Sequence, residues 1–564
     1  MTAKPKKRID SLSAEAHYVV VKTLIVTMVW ASAVMLLLGA SQASKASPFA
    51  FRGIKGLFWN GIDNYRKALP WLAENDLNFL MLCYSSYPAS ASDWRSDYTP
   101  EQLEEFKDLA AKAGKLNITL CLSFNPGIWS DPPLVYSSEK DYQLILGKVK
   151  QVHAIGINRF ALCLDDINPE LQPDDKERFG TMQAAHVYLV NRLYGDMRRM
   201  KPRPKLIFCP MAFASNYEQL YPGYLDTVGQ EIDKNVMMFW TGPDVRSGTM
   251  SAAEARAFGR LIRRKPFVWD NYPVNDGCAW RPLLAPLKNR TPDLGDAVVG
   301  YMSNPMRQWR ISTIPLGTTA QYLNHPENYD PERAMENVIR GFPNDQQRAI
   351  RLLVQIYGSA FPGEPGYPAY PRPKDETEAR RELSRRRVLK KELTGNPALK
   401  DVWIDVQPAV DLDIIILERK LGNRERNSPL KAAGVDFDGG AAETFGYNLY
   451  DRIVNYVYAK STGRSEMSAP FFLANTPASA RLRMVARDGS AARKARIRIE
   501  LNNTPLVDGE TPFSSVDFEQ KVFDIPASTL KSGTNLLVIR NLEDTGDLGN
   551  LPWFMVAEAE IVPR

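Results

Sequence analysis

Phe160-Ala161-Leu162-Cys163-Leu164-Asp165-Asp166-Ile167-Asn168 is an apolar run that stops at two adjacent carboxylates. The residues before the acidic pair have the composition of a buried strand, and carboxylates at the end of such a strand are rarely tolerated without a use. Either Asp165 and Asp166 cap a following helix or they form a site. What decides between the two is how often the pattern recurs and what accompanies it.

It recurs eight times. Short apolar runs occupy 53–59, 78–85, 118–124, 159–166, 205–211, 236–242, 266–272 and 298–304, and segments of helical periodicity such as 100–113, 141–153, 180–199 and 252–263 lie between them. This alternation predicts an α/β fold, a closed (β/α)8 barrel over residues 47–330. A doubly wound sheet also alternates, but it usually has fewer strands and wants a phosphate-binding glycine loop that is not found here. In a barrel, chemistry sits at the C-terminal ends of the strands. Polar and aromatic residues collect there: Trp59-Asn60, Tyr84-Ser85-Ser86-Tyr87, Phe124-Asn125-Pro126-Gly127, Asp165-Asp166, Trp240-Thr241-Gly242-Pro243, Trp269-Asp270-Asn271-Tyr272 with Asn275-Asp276, and Ser303-Asn304-Pro305. Aromatic faces ringed by Asn and Asp suit a sugar, which offers C–H surfaces, hydroxyls and amides.

The remaining sequence bounds the rest of the molecule. The chain has 564 residues, 24% charged and 44% hydrophobic, which predicts a multidomain globular protein. Its net charge of +6 is spread along the length. The basic run at 380–391 has no groove-reading or aromatic companions, so it reads as an exposed helix face, with no nucleic-acid partner. At the N-terminus Lys4, Lys6, Lys7 and Arg8 precede an apolar run at 23–40 and the small residues Ser41-Gln42-Ala43-Ser44-Lys45-Ala46. Residues 1–46 are therefore expected to be an export signal cleaved after Ala43 or Ala46, for a secreted or periplasmic protein. The alternative is an uncleaved anchor, since 23–40 is long enough to span a bilayer. Cys83, Cys121, Cys163, Cys209 and Cys278 form no Cys-x-x-Cys pair and read as core residues, without disulfide or zinc. His153 and His186 read as surface or packing residues, and the four histidines leave metal clusters poorly supplied.

Beyond the barrel, helices are expected at 334–358, 375–394 and 399–421, separated by the Pro-rich stretch 362–373, making a helical domain over 331–430. From 431 to 564 the period becomes two, as in Arg496-Ile497-Arg498-Ile499-Glu500-Leu501, which predicts an antiparallel β-sandwich. Gly533-Thr534-Asn535-Leu536-Leu537-Val538-Ile539-Arg540-Asn541 resembles a strand of the galactose-binding-like jelly rolls; a sugar-binding and a structural role both fit.

Across residues 51–320 the chain resembles glycoside hydrolase family 84, the O-GlcNAcase and bacterial hyaluronidase-type β-N-acetylglucosaminidases. The matching segments, in the family's order, are Phe160 to Ile167, Phe208-Cys209-Pro210, Trp240-Thr241-Gly242-Pro243, Trp269-Asp270-Asn271 with Asn275-Asp276, and Ser303-Asn304-Pro305. The resemblance implies a retaining exo-β-N-acetylglucosaminidase without cofactor, acting on an N-acetylglucosamine-containing glycan or glycoconjugate. The substrate's acetamido oxygen acts as nucleophile and an oxazoline forms, a departure from the usual carboxylate pair. Asp165 is implied to polarise the acetamido N–H and Asp166 to be the general acid and base. Asn271, Asp276 and Asn304 are implied to bind hydroxyls or the glycosidic region, Trp269 to wall the acetamido pocket, and Gly56 to let the backbone approach the ring. Two positions depart from the family: Ser85 stands where a sugar-contacting lysine is usual, and Phe213 where a tyrosine hydroxyl lies near the acetamido oxygen. Those departures motivate a second expectation, a non-catalytic carbohydrate-binding protein on a degenerated barrel. An endo-acting hyaluronidase is a third.

Overall fold

The eight apolar runs pair in sequence order. The computed structural model describes residues 47–56, 61–128, 130–275, 281–358, 371, 373–422, 431–434, 437–445, 452–489, 494–546 and 552–563. Strands β1 (Phe51–Lys55), β2 (Phe79–Leu82), β3 (Thr119–Phe124), β4 (Arg159–Cys163), β5 (Lys205–Cys209), β6 (Met237–Trp240), β7 (Phe267–Pro273) and β8 (Gly300–Asn304) form a closed parallel barrel. Closure is made by β1 against β8, with Phe51 opposite Gly300. Such strands are covered on both faces, by helices outside and by one another's side chains inside, which is why they read as near-continuous apolar runs. Phe51, Phe79 and Phe267, the first residues of β1, β2 and β7, pack against one another with ring centroids 5.1 to 5.8 Å apart, and Phe239 of β6 packs edge-on against Phe267 at 5.4 Å. This aromatic plug fills the barrel from the N-terminal side, and a cavity opens at the C-terminal ends of the strands.

Around the barrel run α1 (Gly61–Glu74), α2 (Pro100–Lys115), α3 (Glu139–Ala154), α4 (Pro173–Phe179), α5 (Met182–Met197), α6 (Tyr224–Glu231), α7 (Ala252–Leu261), α8 (Leu294–Ala297) and α9 (Trp309–Asn324). Helix α2 starts where the sequence signals it. The Thr99 hydroxyl accepts from Gln102 N, the Gln102 side chain accepts from Thr99 N, and Pro100 takes the first turn. Helices α1 and α9 are expected from the alternation, but no bounds for them were read from the sequence. Each contains a proline, Pro70 and Pro315, and α9 is buried on nearly every side, so it carries no amphipathic period to read.

A helical layer follows, of α10 (Pro331–Arg340), α11 (Asn344–Ile356), α12 (Glu376–Gly395) and α13 (Lys400–Gly422). The single helix expected over 334–358 is two, because Pro343 breaks the ladder and stands at the N-cap of α11. A second correction concerns the basic run at 380–391. Arg387 is exposed, but Arg386 is only 4% exposed and its Nε donates to Asp413 at 2.8 Å. Asp413 is fully buried and also accepts from Arg281 at 2.6 Å and from the Tyr357 hydroxyl at 3.0 Å. One residue of a charged run is therefore the centre of this layer, and Arg281 ties it to the segment that follows β7.

The C-terminal strands are β9 (Lys431–Ala433), β10 (Asp438–Gly439), β11 (Ala441–Phe445), β12 (Arg452–Val457), β13 (Glu466–Leu473), β14 (Ala480–Asp488), β15 (Arg496–Leu501), β16 (Thr504–Glu510), β17 (Glu519–Ile525), β18 (Gly533–Asn541) and β19 (Phe554–Pro563). One antiparallel sheet has the order β10-β13-β18-β15-β16. The other has β11-β12-β19-β14-β17, with β9 on β19. The alternating Leu482, Met484 and Ala486 share one core with Ile497, Ile499 and Ile539 of the facing sheet.

Among the described residues no helix is long and apolar enough to cross a membrane. The expected export or anchor segment 1–46, Trp59, Asn60, Asp276, Cys278 and most of the Pro-rich stretch lie outside the described residues. Cys83, Cys121, Cys163 and Cys209 are buried free thiols.

His186 on α5 is fully buried, with the Tyr136 hydroxyl 3.0 Å from Nε2 and the Tyr224 hydroxyl 2.7 Å from Nδ1. Burial pushes its imidazole down to about 3. The folded state therefore holds it neutral where the unfolded chain protonates it, below the usual value near 6.5. Stability contributed by the neutral ring is complete above that value and is lost as pH falls from there towards 3, at about 1.4 kcal/mol per pH unit. Urea unfolding of wild type and His186→Gln from pH 7 to 4 is expected to show a shallower acid slope in the variant; parallel slopes would contradict this.

Candidate active site

The chain leaves β4 through a turn that separates the two carboxylates. Leu164 N donates to Cys209 O at 3.0 Å, extending the β4–β5 ladder by one residue. Asp166 then takes a left-handed conformation, φ 53°, one that Asp tolerates better than most side chains. As a result Asp165 is buried and Asp166 is exposed. The capping alternative is excluded: the next helix, α4, starts at Pro173 with Gln172 as its N-cap.

Asp165 is held from two neighbouring strands. The Tyr84 hydroxyl, just after β2, donates to Oδ2 at 2.8 Å. Asn125, just after β3, donates through Nδ2 to the Asp165 backbone carbonyl at 3.0 Å and to Oδ1 at 3.3 Å. The Asn125 amide is itself fixed, because its Oδ1 accepts from Gly127 N and Ile128 N. Burial, and secondarily the Asp166 charge, push the Asp165 carboxyl up to about 6, while the Lys55 charge and the Tyr84 hydrogen bond oppose the rise.

Opposite stand the ends of β7 and β8. Asn271 Oδ1 accepts from Trp269 Nε1 at 3.0 Å and from Asn304 Nδ2 at 2.9 Å, and its Nδ2 donates to Val245 O at 2.8 Å. Asn304 is 2% exposed, and its Oδ1 has no hydrogen-bond partner among the described residues. Beneath this row, Asp270 and Arg290 form a buried forked pair, Nε to Oδ2 at 3.1 Å and Nη2 to Oδ1 at 3.0 Å. Arg290 also donates to the backbone of Ser247 and Gly248, which fixes the loop after β6 that carries Val245 and Arg246.

These residues enclose a cavity of about 200 Å³. Asp165, Asp166, Asn271 and Asn304 supply acceptors and amides; Trp269, Phe213, Ile128 and Val245 supply apolar walls; Lys55 and Arg246 supply cations. The structure thus gathers six of the expected site residues, Asp165, Asp166, Trp269, Asn271, Asn304 and Phe213, around one space. It does not bring Ser85 or Gly56 to the walls of that space. The Ser85 hydroxyl lies 3.0 Å from Cys83 Sγ within its turn. At Gly56 a Cβ would meet the Tyr65 hydroxyl at 2.1 Å and Cys83 N at 2.5 Å, so the absence of a side chain permits this close packing. Tyr84 and Asn125, expected only as members of the polar strand ends, are the residues that hold Asp165, whereas Lys55 and Arg246 were not expected at the site.

The profile of one family, described as beta-N-acetylglucosaminidase, matches residues 40–355, the whole barrel included. The chain belongs to that family. Its members are the glycoside hydrolases of family 84 that the strand-end motifs resemble. The chain is similar to the Protein O-GlcNAcase of Rattus norvegicus, 28% identical over 271 residues, which are 47% of this chain and 28% of the rat protein. It therefore spans well under half of that relative's length. Among solved structures, an O-GlcNAc hydrolase mutant of Thermobaculum terrenum is 25% identical with a TM-score of 0.58, covering 66% of this chain and 83% of the other. The protein CpGH84B, at 19% identity and a TM-score of 0.56 over 68% of this chain and 69% of its own, shares the fold. For the family member described here, the pair at the end of β4 lies within the matched region.

Proposed function

We propose that this chain is an exported, retaining exo-β-N-acetylglucosaminidase that hydrolyses terminal N-acetylglucosaminides of a glycan or glycoconjugate by substrate assistance. The observation that carries the reading is the pair Asp165 and Asp166, adjacent in sequence and set in opposite environments at the mouth of one barrel strand. Asp165, oriented by Tyr84 and Asn125, accepts the acetamido N–H and makes the carbonyl oxygen more nucleophilic. That oxygen attacks the anomeric carbon as the bond to the leaving oxygen breaks, and Asp166 gives its proton to the leaving oxygen. An oxazoline results. Asp166 then takes a proton from water, which opens the oxazoline at the anomeric carbon with net retention. Trp269, Val245 and Phe213 wall the acetamido methyl, while Asn271 and Asn304 hold hydroxyls. The basic residues before 23–40 and the small residues at 41–46 support export, with anchoring by 23–40 as the alternative; the N-terminal residue of the mature protein separates the two.

A panel of aryl β-glycosides tests the reading. Turnover is expected for the N-acetylglucosaminide and not for the glucoside, with inhibition by the N-acetylglucosamine-derived thiazoline that mimics the oxazoline. One observation favours a second reading, a sugar-binding protein without turnover: Phe213 lines the cavity where a hydroxyl is expected, and its ring packs against Tyr217 at 4.9 Å. Thiazoline binding with no turnover of any aryl glycoside would establish that reading instead.

A further inference from the structure

Burial alone assigns the proton to the wrong carboxylate. Asp165 is buried and Asp166 exposed, so desolvation favours a neutral Asp165. The mechanism proposed above, on which this inference rests, needs the reverse. Tyr84 and Asn125 donate to Asp165, but both are neutral. A cation enters the same cavity from β1. Lys55 is 3% exposed, and its Nζ lies 4.0 Å from the centroid of Trp269 and 5.7 Å from that of Tyr84, the ring whose hydroxyl holds Asp165. We propose that Lys55 is a positioning residue that keeps the negative charge on Asp165, and thereby decides that Asp166 holds the acid proton.

The neighbours of the pair leave this role to Lys55. Cys163 and Cys209, on β4 and β5, are thiols pushed up by burial and are neutral. Tyr84 and Tyr217 are pushed up by burial, with the carboxylates adding to the rise, and are neutral too. Asp166 acts in the wrong direction, since its charge opposes ionisation of Asp165. Arg246 also lines the cavity, from the loop after β6, and the Lys55 charge lowers the Asp165 carboxyl. The site also suits a buried ammonium, because the Trp269 face offers it a negative surface in place of water.

The test is the titration of Asp165 by carboxyl carbon NMR on aspartate-labelled protein, assigned with Asp165→Asn, alongside the pH profile of kcat/KM. In Lys55→Met, or Lys55→Gln if the Met variant does not fold, the Asp165 titration is expected to move up by about one pH unit. The acid limb of kcat/KM moves with it, because a smaller fraction of Asp165 is ionised at any given pH. Lys55→Arg keeps the wild-type titration. A role confined to packing lowers stability and leaves the titration in place, and that result overturns the proposal. If wild type turns over an aryl N-acetylglucosaminide while Asp165 titrates identically in wild type and Lys55→Met, this inference fails and the function stands. If the titration moves and wild type turns over no glycoside, the function fails and the charge partition stands.

Discussion

Asp166→Asn is expected to lower kcat/KM for phenyl β-N-acetylglucosaminide by about 10²- to 10⁴-fold, the range spanned by a positioned general acid. The loss has a signature. A leaving group that departs as a stable anion needs no proton, so the deficit in kcat/KM should shrink steadily from phenyl to dinitrophenyl glycosides. Asp165→Asn is expected to lose activity with every leaving group, because the acetamide it polarises is needed whatever departs. The difference follows from the structure: Asp166 is exposed to the cavity, whereas Asp165 is buried and held by Tyr84 and Asn125. A deficit for Asp166→Asn that is constant across leaving groups would remove the acid role from Asp166.

The largest effect on stability is expected at Asp413. Its carboxylate sits fully buried between Arg281 and Arg386 and accepts from the Tyr357 hydroxyl. Asp413→Ala leaves two guanidinium groups in the interior without that partner, which costs about 3–5 kcal/mol when one member of a buried pair is removed. Urea unfolding checks it, with Arg387→Ala as the control, since Arg387 makes its ion pair at the surface and should leave the midpoint nearly unchanged. Equal midpoints for the two variants would show that the buried network contributes nothing beyond an exposed pair.

The barrel was legible because a strand buried on both faces leaves an apolar run that composition alone reveals, and eight such runs in alternation leave few other folds. The bounds of helix α9 were not, because a helix buried all round has no polar face to set a period, and Pro315 argues against it locally. Arg386 was misread for a related reason: nothing within the run at 380–391 distinguishes the one side chain that turns inward towards Asp413, 27 positions away. At the site, placement at the strand ends singled out Asp165, Asp166, Trp269, Asn271 and Asn304, and the structure sets all five around one cavity. Lys55 was missed because β1 was expected to run to residue 59, which made Lys55 an interior strand residue. The strand stops at Lys55, and the same rule then places its side chain at the mouth. Ser85 and Gly56 were named from their positions, and in the structure their contacts are with Cys83 and Tyr65 rather than with the cavity walls.

The central claim is that the substrate's own acetamide is the nucleophile, with Asp165 and Asp166 serving it. Its most direct test is kcat/KM for one aryl glycoside series in which the N-acetyl group carries none, one, two or three fluorines. Each fluorine withdraws electrons from the carbonyl oxygen while changing the size of the group little. A steep, progressive fall in rate with fluorination is the predicted result; a rate indifferent to fluorination would contradict the account, because an enzyme carboxylate or water would then be making the bond to the anomeric carbon.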